Sequence, residues 1–196
     1  MRAAADRCLY DTASLSLLVE ALPGGALSRP CGEGGWTVGQ TLLHLIEMVA
    51  DDAEAIERFV AGEPRRQRSP LSSAIPSTED LVAAIPRARN RMVAALERIK
   101  FSHGEQLYGD RKLTATVLAW AEHYGEHNLD LVDAVPELCE DPMVLNWVLW
   151  QTPGATPELI ERQARLYERV KDRLIAQTEE GSNRKRNLAK RLVKKR

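Results

Sequence analysis

Cysteine is scarce: Cys8, Cys31 and Cys139 are the three in 196 residues, far apart and without a CxxC pair. So sparse and odd a set excludes a disulfide framework and a cysteine-rich metal site, and points to reduced thiols in a cytoplasm. Aromatic residues make up 5%, with two Phe. The core must therefore be filled by Leu, Val, Ile and Ala, as in helical bundles. No stretch approaches the ~20 apolar residues of a membrane span. The opening MRAAADRCLYD meets Asp6 early and has no sustained apolar run, unlike a secretory leader. Alternation of apolar and polar residues, the mark of strands, is nearly absent, and no internal repeat is evident.

What the chain does have is helical periodicity. A first helix is expected from about Ala3 to Leu22, with Leu9, Leu15, Leu18, Val19 and Leu22 as its apolar side, stopped by the PGG at 23–25. TVGQ at 37–40 reads as a capping box, Thr37 serving the Gln40 N–H and Gln40 returning the bond. The second helix then runs to about Ala61 on a stripe of Leu42, Leu45, Ile46, Val49, Ala53, Ile56 and Val60. A third is expected from Ser77 or Thr78 to about Ile99, kinked at Pro86. Loop sequence at 100–112 leads to a fourth, about Leu113 to Val135, ended by Pro136. Beyond it, a short apolar segment with Trp147 and Trp150 reads as lid, dimer contact or core. A further helix starts at Thr156 as cap and Pro157 as first residue, with Leu159, Leu166, Val170 and Leu174 on a narrow apolar face.

This pattern predicts an all-α protein, a four-helix bundle over residues 1–140. Residues 141–180 form a helical extension that packs on the bundle or at a dimer interface. TEEGSN at 178–183 loosens the chain before a basic, mobile tail at 181–196. The formal net charge of −1 conceals an asymmetry: residues 184–196 carry eight basic and no acidic residues, leaving 19 basic against 28 acidic elsewhere. Such a tail offers an alternative role, binding nucleic acid or an anionic surface. No aromatic residue is interleaved with the charges, and no base-reading motif is recognisable.

The residues with chemistry are histidines. His123 and His127 are four apart in the fourth helix, so both imidazoles lie on one face and can grip one cation. Packing histidines have the same spacing, and the residues alone leave both readings standing. The pair flanks the core stripe of Val117, Trp120, Ala121, Tyr124, Leu131, Val132 and Val135, at the rim where a cleft between helices would open. Asp130 shares their side and can orient an imidazole, bind metal itself, or be a solvated carboxylate. Glu126 points further from the core and is the other candidate base. His44, on the second helix, lies about 160° from the centre of its apolar stripe and reads as exposed. His103, beside Gly104, reads as a surface histidine. Cys8 and Cys139 read as small buried hydrophobes, and Cys31 as the thiol to check for proximity to the site.

GWTVGQTLLHL at 35–45 and LTATVLAWAEHYGEH at 113–127, in that order, make the chain resemble the DinB/YfiT-like bundle family over roughly residues 3–137. The resemblance implies an up-down-down-up four-helix bundle. It also implies a divalent metal (zinc, nickel or iron) held by His44, His123 and His127, which would put His44 in a pocket after all. Better-understood members use the metal to activate a low-molecular-weight thiol for transfer or isomerisation. This chain carries Glu126 where members often have His or Asp, and Asn128 where Arg is frequent. Three imidazoles leave a position open, the pattern of catalytic rather than closed structural sites, where a water or a thiol would lose its proton. Hydrolysis and S-transfer on a small-molecule substrate both follow. The contrasting reading is a non-catalytic bundle acting through its tail or apolar extension.

Overall fold

The capping box expected at residues 37–40 forms in the structure, a computed structural model. The Gln40 N–H donates to Thr37 Oγ1 at 3.3 Å, and the Thr37 N–H donates to Gln40 Oε1 at 3.0 Å. The structure describes residues 1–32, 34–64, 66–67, 74–150 and 157–193, with only the backbone at 118–122, 125–126, 150, 177 and 181–193. The elements run α1 (Arg2–Glu20), β1 (Pro30–Cys31), β2 (Trp36–Thr37), α2 (Val38–Val60), α3 (Thr78–Glu97), α4 (Phe101–Gly104), β3 (Leu107–Tyr108), β4 (Arg111–Lys112), α5 (Leu113–Ala134), α6 (Pro142–Trp150) and α7 (Pro157–Val193). Short 3-10 turns at Ala26–Ser28 and Pro136–Glu140 join them.

The all-α reading holds. Helices α1, α2, α3 and α5 are the four of the bundle, with α3 against both α1 and α2, and α5 against α1 and α2. Their contact surface is aliphatic: Leu15, Leu18, Leu42, Leu45, Ile56, Leu81, Ile85, Leu113 and Leu131 are all fully buried. A second capping box starts α3, where the Asp80 N–H donates to Ser77 Oγ and Ser77 N–H and O–H both donate to Asp80. Helix α3 runs unbroken past Pro86.

Three sequence expectations change. In α1, Leu9 is 44% exposed, while Asp11, Thr12 and Ser14 are buried. The inward face of α1 is therefore rotated toward polar residues, which apolar periodicity does not register. The stretch 100–112 is a one-turn helix and a tight hairpin, Leu107 pairing with Lys112 and Tyr108 with Arg111, instead of a loop. Gly109, at φ 70°, takes the left-handed conformation that the two-residue turn requires. Helix α7 does not break at 178–183 but continues to Val193. Gly181, Ser182 and Asn183 each cost a helix only about 0.5–1 kcal/mol relative to Ala, and good helix formers flank them.

The apolar segment after α5 resolves toward packing. Trp147 on α6 is 1% exposed, and its indole N–H donates to Asp11 Oδ1 at 3.2 Å, pinning α6 against α1. Met143 on the same helix stays exposed. The side chain of Trp150 and the Thr156 cap lie outside the described residues. Helix α7 buries Leu159, Leu166 and Val170 against the rest of the chain. The Gln163 side chain donates to the Leu149 carbonyl at 2.8 Å, and Arg173 to the Cys139 carbonyl at 3.0 Å. Among the described residues no helix is long and apolar enough to cross a membrane.

Candidate metal centre

Helix α2 carries His44 two turns after its capped start, and it is buried on more than one side. Besides the expected stripe, Thr41, Met48 and Asp52 are buried. These lie three before, four after and eight after His44, along the line of its own side chain. The face that a helical wheel marks as exposed therefore looks into the bundle. Its partners are the two histidines of α5, one turn apart.

The three rings converge. His44 Nε2 lies 3.0 Å from His123 Nε2, and His127 Nε2 lies 3.1 Å from the same atom. The rings stand nearly edge to face on one another, with interplanar angles of 76°, 78° and 85°. All three side chains are partly buried. Hydrogen bonding alone satisfies this arrangement poorly. A neutral imidazole carries one proton, so the His123 nitrogen either donates to one neighbour or offers one lone pair to both. A divalent cation takes all three lone pairs at once. Imidazole nitrogens bound at about 2.0–2.1 Å on a tetrahedral ion stand roughly 3.3 Å apart, so a small outward relaxation of these tips accommodates one. The donor set fits a borderline ion such as zinc, nickel or iron(II). No other His, Cys, Asp or Glu joins the three-residue cluster among the described residues.

The walls come from the small hairpin ahead of α2. Pairing of Cys31 with Trp36 and of Pro30 with Thr37 places the Trp36 ring 4.9 Å from that of His44 and 6.2 Å, nearly stacked, from that of His127. Trp36 excludes water from one side of the tripod. Behind His127 stands Asp130, whose Oδ2 lies 3.7 Å from Nδ1, the nitrogen facing away from the other histidines. That is beyond the ~3.2 Å of an ordinary hydrogen bond, so we read it as an electrostatic contact. Burial pushes the Asp130 carboxyl up, but His127 and the Arg162 guanidinium outweigh it and hold it below the usual carboxylate range. Arg162 donates to Asp130 Oδ1 at 2.8 Å.

Of the other candidates, Cys31 stays beside the centre, in the hairpin whose Trp36 covers it and within electrostatic reach of Asp130 and Arg162. His103 sits in α4, its Nδ1 accepting from the Lys100 N–H at 3.3 Å. The side chain of Glu126 lies outside the described residues. Cys31 is buried, and burial pushes its thiol up despite the Thr41 hydroxyl. Burial, reinforced by Asp11, pushes Cys8 up to about 11. Cys139 is likewise raised by burial. None is a ready nucleophile.

Sequence reasoning missed Arg162, because nothing in a helix 32 residues further on marks it as a partner of Asp130. It also missed an interior recess one turn deeper along α2 from His44, a cavity of about 80 Å³ lined by Arg7, Cys8, Asp11, Met48, Asp52 and Tyr124 among others. The Tyr124 hydroxyl and the Asn128 amide, also one turn apart on α5, are buried without a hydrogen-bond partner among the described residues. Of these residues, Tyr124, in the core stripe of α5, and Cys8, as a small buried hydrophobe, were legible as inward.

A helical bundle that brings three histidine nitrogens to one point defines a candidate metalloprotein. Residues 10–130 match the DinB superfamily, and the chain belongs to it. Neither the curated proteins nor the solved structures compared with it include a match. The matched stretch ends at Asp130, before α6 and α7.

Proposed function

We propose that the protein is a divalent-metal-dependent enzyme with His44, His123 and His127 as ligands, acting in S-transfer from a low-molecular-weight thiol or in hydrolysis. The observation that carries this reading is the convergence of three Nε2 atoms, 3.0 and 3.1 Å from one another at His123, in a partly buried site. Bound there, the metal would act as a Lewis acid that deprotonates a thiol or water. His44 and His123 bring α2 and α5 together to present the ligand atoms. Asp130 faces Nδ1 of His127 and favours the tautomer that keeps Nε2 free of a proton. Trp36 covers the side facing the hairpin, leaving substrate to approach from elsewhere. The chain's own thiols are buried or partly buried and raised, which favours a thiol brought in as cosubstrate.

Metal analysis of the purified protein tests the reading. About one zinc, nickel or iron per chain is expected, as a three-imidazole site binds one ion. His44→Ala and His127→Ala should lose it while retaining helical content. A chain that takes up no metal on loading, with no change in thermal stability, refutes the reading. Assay of the loaded protein with small thiols and electrophilic substrates, against ester and amide substrates, separates S-transfer from hydrolysis.

A further inference from the structure

Helix α7 lies outside the stretch that matches the superfamily. It nevertheless reaches the histidine cluster through one side chain. Arg162 Nη2 donates to Asp130 Oδ1 at 2.8 Å and to Asp133 Oδ2 at 3.0 Å. The other oxygen of Asp130 faces His127 Nδ1 at 3.7 Å. The same oxygen lies against Gly32 in the turn of the first hairpin, where an added Cβ would stand 3.2 Å away. Gly32 sits at φ 68°, a conformation that favours glycine, so no side chain intrudes. The carboxylate is thus held by Arg162 of α7 and flanked by the hairpin and by His127, and both Arg162 and Asp130 are largely sheltered from solvent.

We propose that Arg162 is a positioning residue for the metal centre. By fixing the orientation of Asp130, it keeps a negative charge facing Nδ1 of His127, which favours the proton on that nitrogen, so the C-terminal helix tunes metal affinity. This rests on the metal-site reading above. A carboxylate free to rotate on α5 could turn both oxygens to solvent. Arg162 removes that alternative by occupying Oδ1, leaving Oδ2 toward the imidazole. A histidine whose Nδ1–H points at a carboxylate keeps its Nε2 lone pair and is a more basic ligand.

The test measures zinc dissociation constants by chelator competition on the full chain. Asp130→Asn is expected to weaken zinc by about tenfold or more, the usual effect of losing such a partner. Arg162→Gln should weaken it by roughly three- to tenfold on the same grounds, and the double variant no more than Asp130→Asn alone, because Arg162 acts through Asp130. Arg169→Gln is the control: it removes another contact from α7 to α5, 4.0 Å from Asp133, and should leave zinc affinity unchanged. In metal-free protein, nitrogen-15 spectra should show His127 protonated on Nδ1, and a tautomer mixture in Arg162→Gln. If Arg162→Gln fails to fold, Arg162→Lys replaces it, with a loss of about two- to fivefold expected because a flexible point charge aligns the carboxylate less well than the planar guanidinium whose Nη2 bridges Asp130 and Asp133. Unchanged zinc affinity and unchanged tautomer in the Arg162 variant, even with a lower melting temperature, make Arg162 a helix staple and overturn the proposal while the metal site stands. No zinc on the unsubstituted chain overturns both.

Discussion

Replacing Trp147 with Phe tests how α6 is attached to the bundle. The ring is 1% exposed, and its N–H reaches Asp11, itself 2% exposed. Arg7 donates to the other oxygen of Asp11 at 2.8 Å. Phe keeps most of the apolar contact but removes the donor. A buried hydrogen bond to a charged group contributes about 1.5–3 kcal/mol. The smaller ring leaves a gap worth roughly 1 kcal/mol. The expected loss is therefore about 2.5–4 kcal/mol, a large fraction of the ~5–15 kcal/mol typical of a domain. Urea unfolding followed by circular dichroism measures it, with the m-value expected to stay constant. An Asp11→Asn, Trp147→Phe cycle should show a coupling of at least about 1 kcal/mol, since the two side chains touch. A loss under about 1 kcal/mol, or a change in oligomeric state with stability intact, would refute the packing role.

Three further outcomes are expected. Thr37→Ala removes one half of the α2 capping box and should cost about 1 kcal/mol in urea unfolding while metal uptake is retained, since His44 lies two turns inward. Native thiols should react slowly with a disulfide reagent: with Cys8 pushed up to about 11, its thiolate fraction at pH 7.5 is roughly 300-fold below that of a free cysteine, and three equivalents should appear only on unfolding. The Ser77 hydroxyl and N–H hold the Asp80 carboxyl below its ordinary value. Its folded value is thus the lower one, so its contribution is complete above the unfolded value of about 3.9 and is lost as pH falls through the folded value. Asp80→Asn should flatten the acid limb of a stability–pH curve below about pH 4; an unchanged limb would remove the cap from the account.

The helices themselves were legible. Thr37 to Gln40 and Ser77 to Asp80 announce helix starts through local chemistry, in which a side chain serves a backbone N–H three residues away. The aliphatic stripes of α2 and α5 depend only on 3.6-residue periodicity. Where polar residues enter a core, the pattern fails: Asp11 faces inward because Trp147, 136 residues later, supplies a donor. Likewise the hairpin at 107–112 was hidden because its strands are two residues each, too short for alternation to register.

At the site, residue spacing alone puts His123 and His127 on one face, since helix geometry leaves no choice at spacing four. It also placed Asp130 on their side. Whether His44 meets them was beyond any wheel, because a wheel measures angle about one axis and the answer depends on a second helix. Helix packing settles it, by burying α2 on the Thr41, Met48 and Asp52 side as well as its apolar stripe. The same holds for Arg162. A guanidinium on an amphipathic helix looks solvated in sequence, and becomes part of the histidine cluster's surroundings only when packing sets α7 beside Asp130. Short-range geometry is carried by residue spacing, while contacts between helices are set by how all their faces are buried at once.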